Sequence, residues 1–206
     1  MDKEKSFIVL AIGTDIGKTF LVENLCKKNS KYTAIKPVIT GFNKDGTSDS
    51  EKILNALNLK INKNNLDEIS PWRFKKPISP NFITQISQDK IIEFCKKNIE
   101  KSKKKNQILL IESAGGVMTP INDNFTFLDL ASVLKLPILL VTSNYLGAIS
   151  HTLCCLESIK NKNLKISKII VNEHQKMPIK TIKFIDCLKH FCNHEIVSME
   201  NFIKNS

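Results

Sequence analysis

Six short runs in this chain are apolar at nearly every position rather than at every second one: residues 7–12, 32–36, 107–111, 137–142, 167–171 and, more weakly, 195–199. Alternating patterns suit strands with one wet face, whereas continuous ones suit strands covered on both faces, as in a parallel sheet. Between the runs lie segments with helical periodicity, at residues 18–28, 90–101, 125–134, 148–160 and 179–191. Ser48-Asp49-Ser50-Glu51 reads as a capping box that opens a further helix carrying Ile53, Leu54 and Leu57. Strand alternating with helix predicts an α/β fold, a parallel β-sheet flanked by helices and joined by right-handed crossovers. Residues 61–88, rich in Asn, Ser, Pro and Lys, read as a long surface loop, and the whole of residues 1–206 as a single domain.

The first apolar run ends directly in Gly13-Thr14-Asp15-Ile16-Gly17-Lys18-Thr19, and a helix follows. A strand, a glycine-containing turn and a helix N-terminus in succession present free N–H groups and a favourable dipole to an anion. Lys18 can reach outer phosphates, and the Thr19 hydroxyl can ligate Mg²⁺. The usual phosphate-loop pattern is not met in full, because Ile12 stands at its first glycine position. Lys36-Pro37 follows the second run, and ligands of open parallel sheets bind beyond the strands' C-terminal ends, so Lys36 is expected to face the crevice of Lys18. Two convergent lysines suit a phosphoryl group in transfer. Glu112 ends the third run just before Ser113-Ala114-Gly115-Gly116, which places a carboxylate and a ligand-approachable backbone at the same rim. Glu112 and Asp49 are the candidate Mg²⁺ carboxylates.

Composition narrows the classes. The net charge is +11, yet Arg73 is the only arginine among 31 basic residues. Readers of nucleic acid lean on arginine forks, so no nucleic-acid partner is expected. No run approaches the ~18 apolar residues of a membrane span, and the N-terminal run ends without a signal-peptide cleavage pattern, so a cytoplasmic protein without a membrane partner is expected. The six cysteines contain no C-x-x-C pair and read as reduced helix residues; His151, His174, His190 and His194 show no zinc-binding spacing.

Taken together, the motifs resemble the dethiobiotin synthetase family. The likeness rests on Gly13-Thr14-Asp15 with Gly17-Lys18-Thr19, Lys36-Pro37 through Thr40-Gly41, and Ser48-Asp49. It continues through Pro71-Trp72-Arg73-Phe74, Pro77-Ile78-Ser79-Pro80, Glu112 through Gly116 with Thr119-Pro120, and Phe125-Thr126-Phe127-Leu128-Asp129. Leu146-Gly147-Ala148-Ile149-Ser150-His151 and Val171-Asn172 complete it, in the family's order over about residues 6–175. The resemblance implies a P-loop NTPase-like fold and a homodimer. It further implies ATP-dependent carboxylation and ring closure of 7,8-diaminononanoate with CO2 or bicarbonate, with Mg²⁺ as cofactor. By the same resemblance Lys18, Lys36 and Thr14 serve the chemistry, and Gly13, Asp15, Ile16, Gly17, Lys18, Thr19 and Asn172 hold the nucleotide. Thr40, Gly115 and Gly116 contact the diamine; Leu146, Gly147 and Ser150 receive its carboxylate from the neighbouring subunit; Thr19, Asp49 and Glu112 hold the metal.

This sequence departs from the family pattern in three places. Its phosphate loop is two residues shorter, Ser150 stands where the family usually has Asn, and the usual C-terminal Gly-x-Ile-Pro segment is replaced by Ile196-Val197-Ser198-Met199. Looser nucleotide specificity is the expected consequence of the last. Two other readings share the phosphate loop: an ATPase of the partitioning or amidoligase type, and a nucleotide-binding module that no longer turns over.

Overall fold

A computed structural model describes residues 5–43, 45–173 and 179–206; His174, named above in the zinc reading, lies outside them. The central layer is one six-stranded sheet. Its strands are β1 (Ser6–Ala11), β2 (Tyr32–Ile35), β5 (Ile108–Glu112), β8 (Ile138–Ser143), β9 (Ile166–Asn172) and β10 (Ile196–Ser198). They lie in the order β10-β9-β8-β1-β5-β2, every pairing parallel. All six residues of β1 are buried, as are all six of β8. Continuous apolar runs require this, since each side chain meets a covering layer whichever way it points. The sequence-predicted strands agree with these to within one or two residues.

The order of strands has a functional consequence. The chain leaves β1 for the far edge at β2, returns through β5, and then continues on the other side of β1 with β8. The strand order therefore reverses at β1, and the crevice at such a reversal is where open α/β sheets bind ligands. Helix α1 (Lys18–Lys28) starts there and packs on α2 (Asp49–Ala56) and α8 (Met199–Lys204), while α4 (Gln88–Lys104) packs on β5 and α5 (Phe127–Leu134). Helices α6 (Ala148–Asn161) and α7 (Thr181–Lys189) complete the cover. The capping box forms as expected: the Ser48 N–H donates to Glu51 Oε2 at 3.2 Å and its hydroxyl to the same oxygen at 2.7 Å. Such a cap stabilises a helix start by about 1 kcal/mol, and here it fixes Asp49 in the first turn.

Residues 61–88 are not the long loop expected. They contain α3 (Lys63–Ile69), β4 (Trp72–Phe74) and a 3₁₀ turn at Pro80–Phe82. Asn62 caps α3 by accepting the Asn65 N–H, and Leu66 and Ile69 bury one face. Strand β4 pairs in parallel with β3 (Val38–Thr40), and Trp72 meets Phe94 of α4 edge-on at 5.6 Å. Arg73 sits over the Phe42 ring and donates to Ser70 and Asp67. The sole arginine thus ties this small sheet together. A short antiparallel pair, β6 (Pro120–Asn122) and β7 (Phe125–Thr126), precedes α5.

Candidate active site

The β1–α1 turn leaves its backbone N–H groups unspent. Asp15 and Gly17 both take positive φ, 56° and 104°, so successive peptides tip to one side instead of forming a helix early. Among the described residues no protein acceptor takes the N–H groups of residues 13–17. Beside them, Gly116 approaches so closely that a Cβ would stand 3.4 Å from the Gly13 backbone and 3.5 Å from the Ala11 carbonyl. The Ala-Gly-Gly turn after β5 is therefore packed directly on the phosphate loop. The Val117 N–H donates to Ala11 O at 2.9 Å and the Gly116 N–H to Thr119 Oγ1 at 2.8 Å, so the Gly116 donor is already engaged.

A cavity of about 580 Å³ opens at this rim. It is lined by Thr14, Asp15, Gly17, Lys18 and Thr19 from the loop, and by Lys36, Thr40 and Asp49 from the next two units. Gly115, Thr119 and residues 77–80 also line it. Lys36 enters from the end of β2 and is buried. Its ammonium is 2.7 Å from Glu112 Oε1 and also ion-pairs Asp49. The same Glu112 oxygen accepts the Thr19 hydroxyl at 2.5 Å. Lys18, 6% exposed, donates to the carbonyls of Gly13 at 3.0 Å and Gly115 at 2.7 Å.

These contacts set the charges. Burial and then the Lys36 charge lower the Lys18 pKa to about 8, partly opposed by Glu112. Burial would lower that of Lys36 as well, but Glu112 and Asp49 outweigh it and hold the ammonium above its usual range. Burial pushes the Asp49 carboxyl up, and Lys36 more than reverses this. Two ammonium groups against two carboxylates leave the rim close to neutral, so a polyphosphate would need a further cation.

The donor set fits a divalent one. Thr19, Asp49 and Glu112 supply only oxygens, as a hard cation such as Mg²⁺ prefers. Glu112 Oε2, fully buried, has no hydrogen-bond partner among the described residues. Among the described residues there is no group of three His, Cys, Asp or Glu side chains that could hold a metal without the threonine.

The candidates named from sequence divide accordingly. Thr14, Asp15, Gly17, Lys18, Thr19, Lys36, Thr40, Asp49 and Gly115 line one cavity, with Glu112 beneath them and Gly13, Ile16 and Gly116 forming the loop and turn behind. Asn172 ends β9, and its amide donates to the Ile16 carbonyl at 3.0 Å. Leu146, Gly147 and Ser150 lie at the start of α6, outside this cavity, and Leu146 is 95% exposed. Sequence reasoning gave no role to Lys52 and Phe20, which also line the cavity. The capping box, which sets Lys52 one turn past Asp49, was the signal available for the lysine.

Fold and site together define a P-loop nucleotide-binding α/β enzyme. Solved structures of that architecture align over nearly the whole chain. The MinC:MinD cell division complex of Aquifex aeolicus gives a TM-score of 0.54 at 17% identity, covering 93% of this chain and 79% of that one. A ParA family ATPase from Chlorobium tepidum gives 0.50 at 14%, covering 95% and 83%. At these identities the likeness concerns the fold. A family model described as an AAA domain matches residues 5–200. In sequence the chain is 36% identical over 178 residues to the ATP-dependent dethiobiotin synthetase BioD of Phenylobacterium zucineum, covering 81% of this chain and 75% of that one. It is 35% identical over 176 residues to the protein of that name from Methanocaldococcus jannaschii, covering 80% and 79%. The chain belongs to the dethiobiotin synthetase family.

Proposed function

We propose that this chain, working as a single P-loop domain, converts 7,8-diaminononanoate, CO2 and ATP into dethiobiotin, ADP and phosphate in biotin biosynthesis. The observation that carries the reading is the convergence of Lys18, Lys36, Thr19 and Asp49 on one end of a cavity, with Glu112 joining them from beneath. One amine of the substrate takes up CO2 and loses a proton to give a carbamate. A carbamate oxygen attacks the γ-phosphorus, the bond to the β-phosphate oxygen breaks, and ADP leaves. The second amine then attacks the carbamoyl carbon, the carbon–oxygen bond to phosphate breaks, and the cyclic urea closes with loss of a proton. No protein nucleophile is required, so catalysis is positioning and charge stabilisation.

In this reading Lys18 exchanges its two carbonyl acceptors for phosphate oxygens. Lys36 stays anchored by Glu112 and presents its remaining donor capacity to the carbamate or the phosphoryl group. Thr14 stands beside the reacting groups, and the N–H groups of Gly13, Asp15, Ile16 and Gly17 face the phosphates. Thr40 and the Gly115 carbonyl border the diamine. Bound Mg²⁺ would neutralise phosphate charge, held by Thr19, Asp49 and Glu112. By the family likeness Asn172 would recognise the base.

The Leu146 to Ser150 turn suits donation to a second subunit. It lies outside the cavity of its own chain, and a homodimer in which each turn receives the partner's substrate carboxylate accounts for the exposure of Leu146. No helix among the described residues is long and apolar enough to cross a membrane, and all six cysteines are free, which accords with a cytoplasmic protein. The test is turnover of Mg-ATP with bicarbonate and the diamine. Diamine-dependent phosphate release with dethiobiotin as product is expected. Phosphate release indifferent to the diamine would instead identify a partitioning-type ATPase, and nucleotide binding without turnover a degenerate module.

A further inference from the structure

Asn172 is separated from the phosphate loop by more than 150 residues, yet its side chain is bonded to it. The Nδ2 group donates to the Ile16 carbonyl at 3.0 Å. The next residue, Gly17, has φ 104°, and a Cβ there would lie 2.4 Å from Asn172 Nδ2 and 3.5 Å from Met199 Cε. The loop's last glycine therefore fits a notch made by the ends of β9 and β10, and no other residue fits it without moving Asn172.

The peptide between Ile16 and Gly17 is planar, with its C=O and N–H pointing in opposite directions. Holding the carbonyl consequently aims the N–H. Gly17 lines the cavity, and among the described residues no acceptor takes its N–H. A loop this short has few residues over which to adjust, and two of its five, Asp15 and Gly17, already sit at positive φ. An external anchor then decides which way that donor faces.

We propose that Asn172 is a positioning residue for polyphosphate binding: it acts through the Ile16–Gly17 peptide, turning the Gly17 N–H towards the phosphates. The proposal rests on the reading that this loop holds nucleotide phosphates, and it is independent of the diamine chemistry. Inorganic tripolyphosphate with Mg²⁺ is the discriminating probe, because it lacks a base. Calorimetric titration of wild type, Asn172→Ala and the shape-keeping Asn172→Leu gives the affinities for tripolyphosphate and for ATP. Both variants are expected to weaken both ligands by a similar factor, about tenfold, the scale of one part-buried hydrogen bond whose loss lets the Gly17 N–H turn away from the phosphates. The melting temperature should fall by no more than about 2–4 °C, and the shift of the Gly17 amide resonance on tripolyphosphate binding should shrink. Unchanged tripolyphosphate affinity beside weakened ATP binding would show that Asn172 serves the base alone and would overturn the proposal. So would unchanged affinity for both. A wild-type protein that binds neither ligand would remove the phosphate-loop reading itself, an outcome distinct from the other two.

Discussion

Lys18 offers a quantitative check on the electrostatics of the rim. In the free protein its ammonium is buried, faces Lys36 and has a pKa of about 8. A polyphosphate beside it restores the charged form, so the bound-state pKa rises and binding takes up a proton. By linkage, affinity is full where Lys18 is already protonated and falls as pH climbs through the free-state value. Nucleotide affinity should therefore change little below about pH 7 and weaken about tenfold from pH 7 to 9, roughly 1.4 kcal/mol. At about pH 8 near half a proton should be taken up per nucleotide. Calorimetry at saturating Mg²⁺ in two buffers of different ionisation enthalpy measures both quantities. Competing titrations do not mimic the effect. The buried thiols of Cys26 and Cys95 are pushed up to about 12, and full ionisation of the terminal phosphate would strengthen binding with pH. Lys18→Arg keeps its charge throughout, so whatever affinity it retains should be flat. The stability of the ligand-free protein has the opposite slope. A lysine whose folded pKa is depressed disfavours the fold when charged, so its penalty fades as pH rises from about 8 towards 10. Flat wild-type affinity from pH 7 to 9 with no proton uptake would refute the assignment of Lys18 to the phosphates.

Three further outcomes follow from the same contacts. Lys36→Met should abolish turnover and lower the melting temperature by about 10 °C, since stranding fully buried Glu112 costs about 3–5 kcal/mol; adding Glu112→Gln should recover most of the melting temperature and none of the activity. Leu146→Glu should convert the proposed homodimer to monomer in sedimentation experiments, abolishing turnover while nucleotide binding persists; a monomeric wild type would contradict the shared site. Ser150→Asn, which installs the family's usual residue, should lower the KM for the diamine about threefold through a stronger carboxylate contact while leaving kcat nearly unchanged.

The sheet was legible because its evidence is local and redundant. Each of β1, β5 and β8 is a run in which nearly every position is apolar, and loss of one residue would not hide it. Short elements carry no such redundancy. Helix α3 has two buried residues, and β3 and β4 have three residues each, so the polar composition around Asn62 and Lys75 outweighed a cap signal and an i, i+3 pair that were present. The same distinction separates the parts of the site. The phosphate loop and Glu112 were readable because a strand and the turn after it are contiguous in the chain. That Lys36 would face the crevice followed from its place at the end of a parallel strand.

The identity of each group's partner was another matter, because partners come from crossovers. Lys36 and Glu112 are 76 residues apart, Lys18 and Gly115 are 97 apart, and Asn172 and Ile16 are 156 apart. No spacing rule spans such distances. The strand order does, since β5 and β8 flank β1, and β9 lies one strand further. Asn172 illustrates the consequence most sharply. Family likeness assigned it to the base. One of its two amide N–H donors, however, is engaged by the Ile16 carbonyl, which leaves the second N–H and the amide oxygen for a ligand. One bond thus couples the orientation of the loop to the hydrogen-bonding character offered to the base.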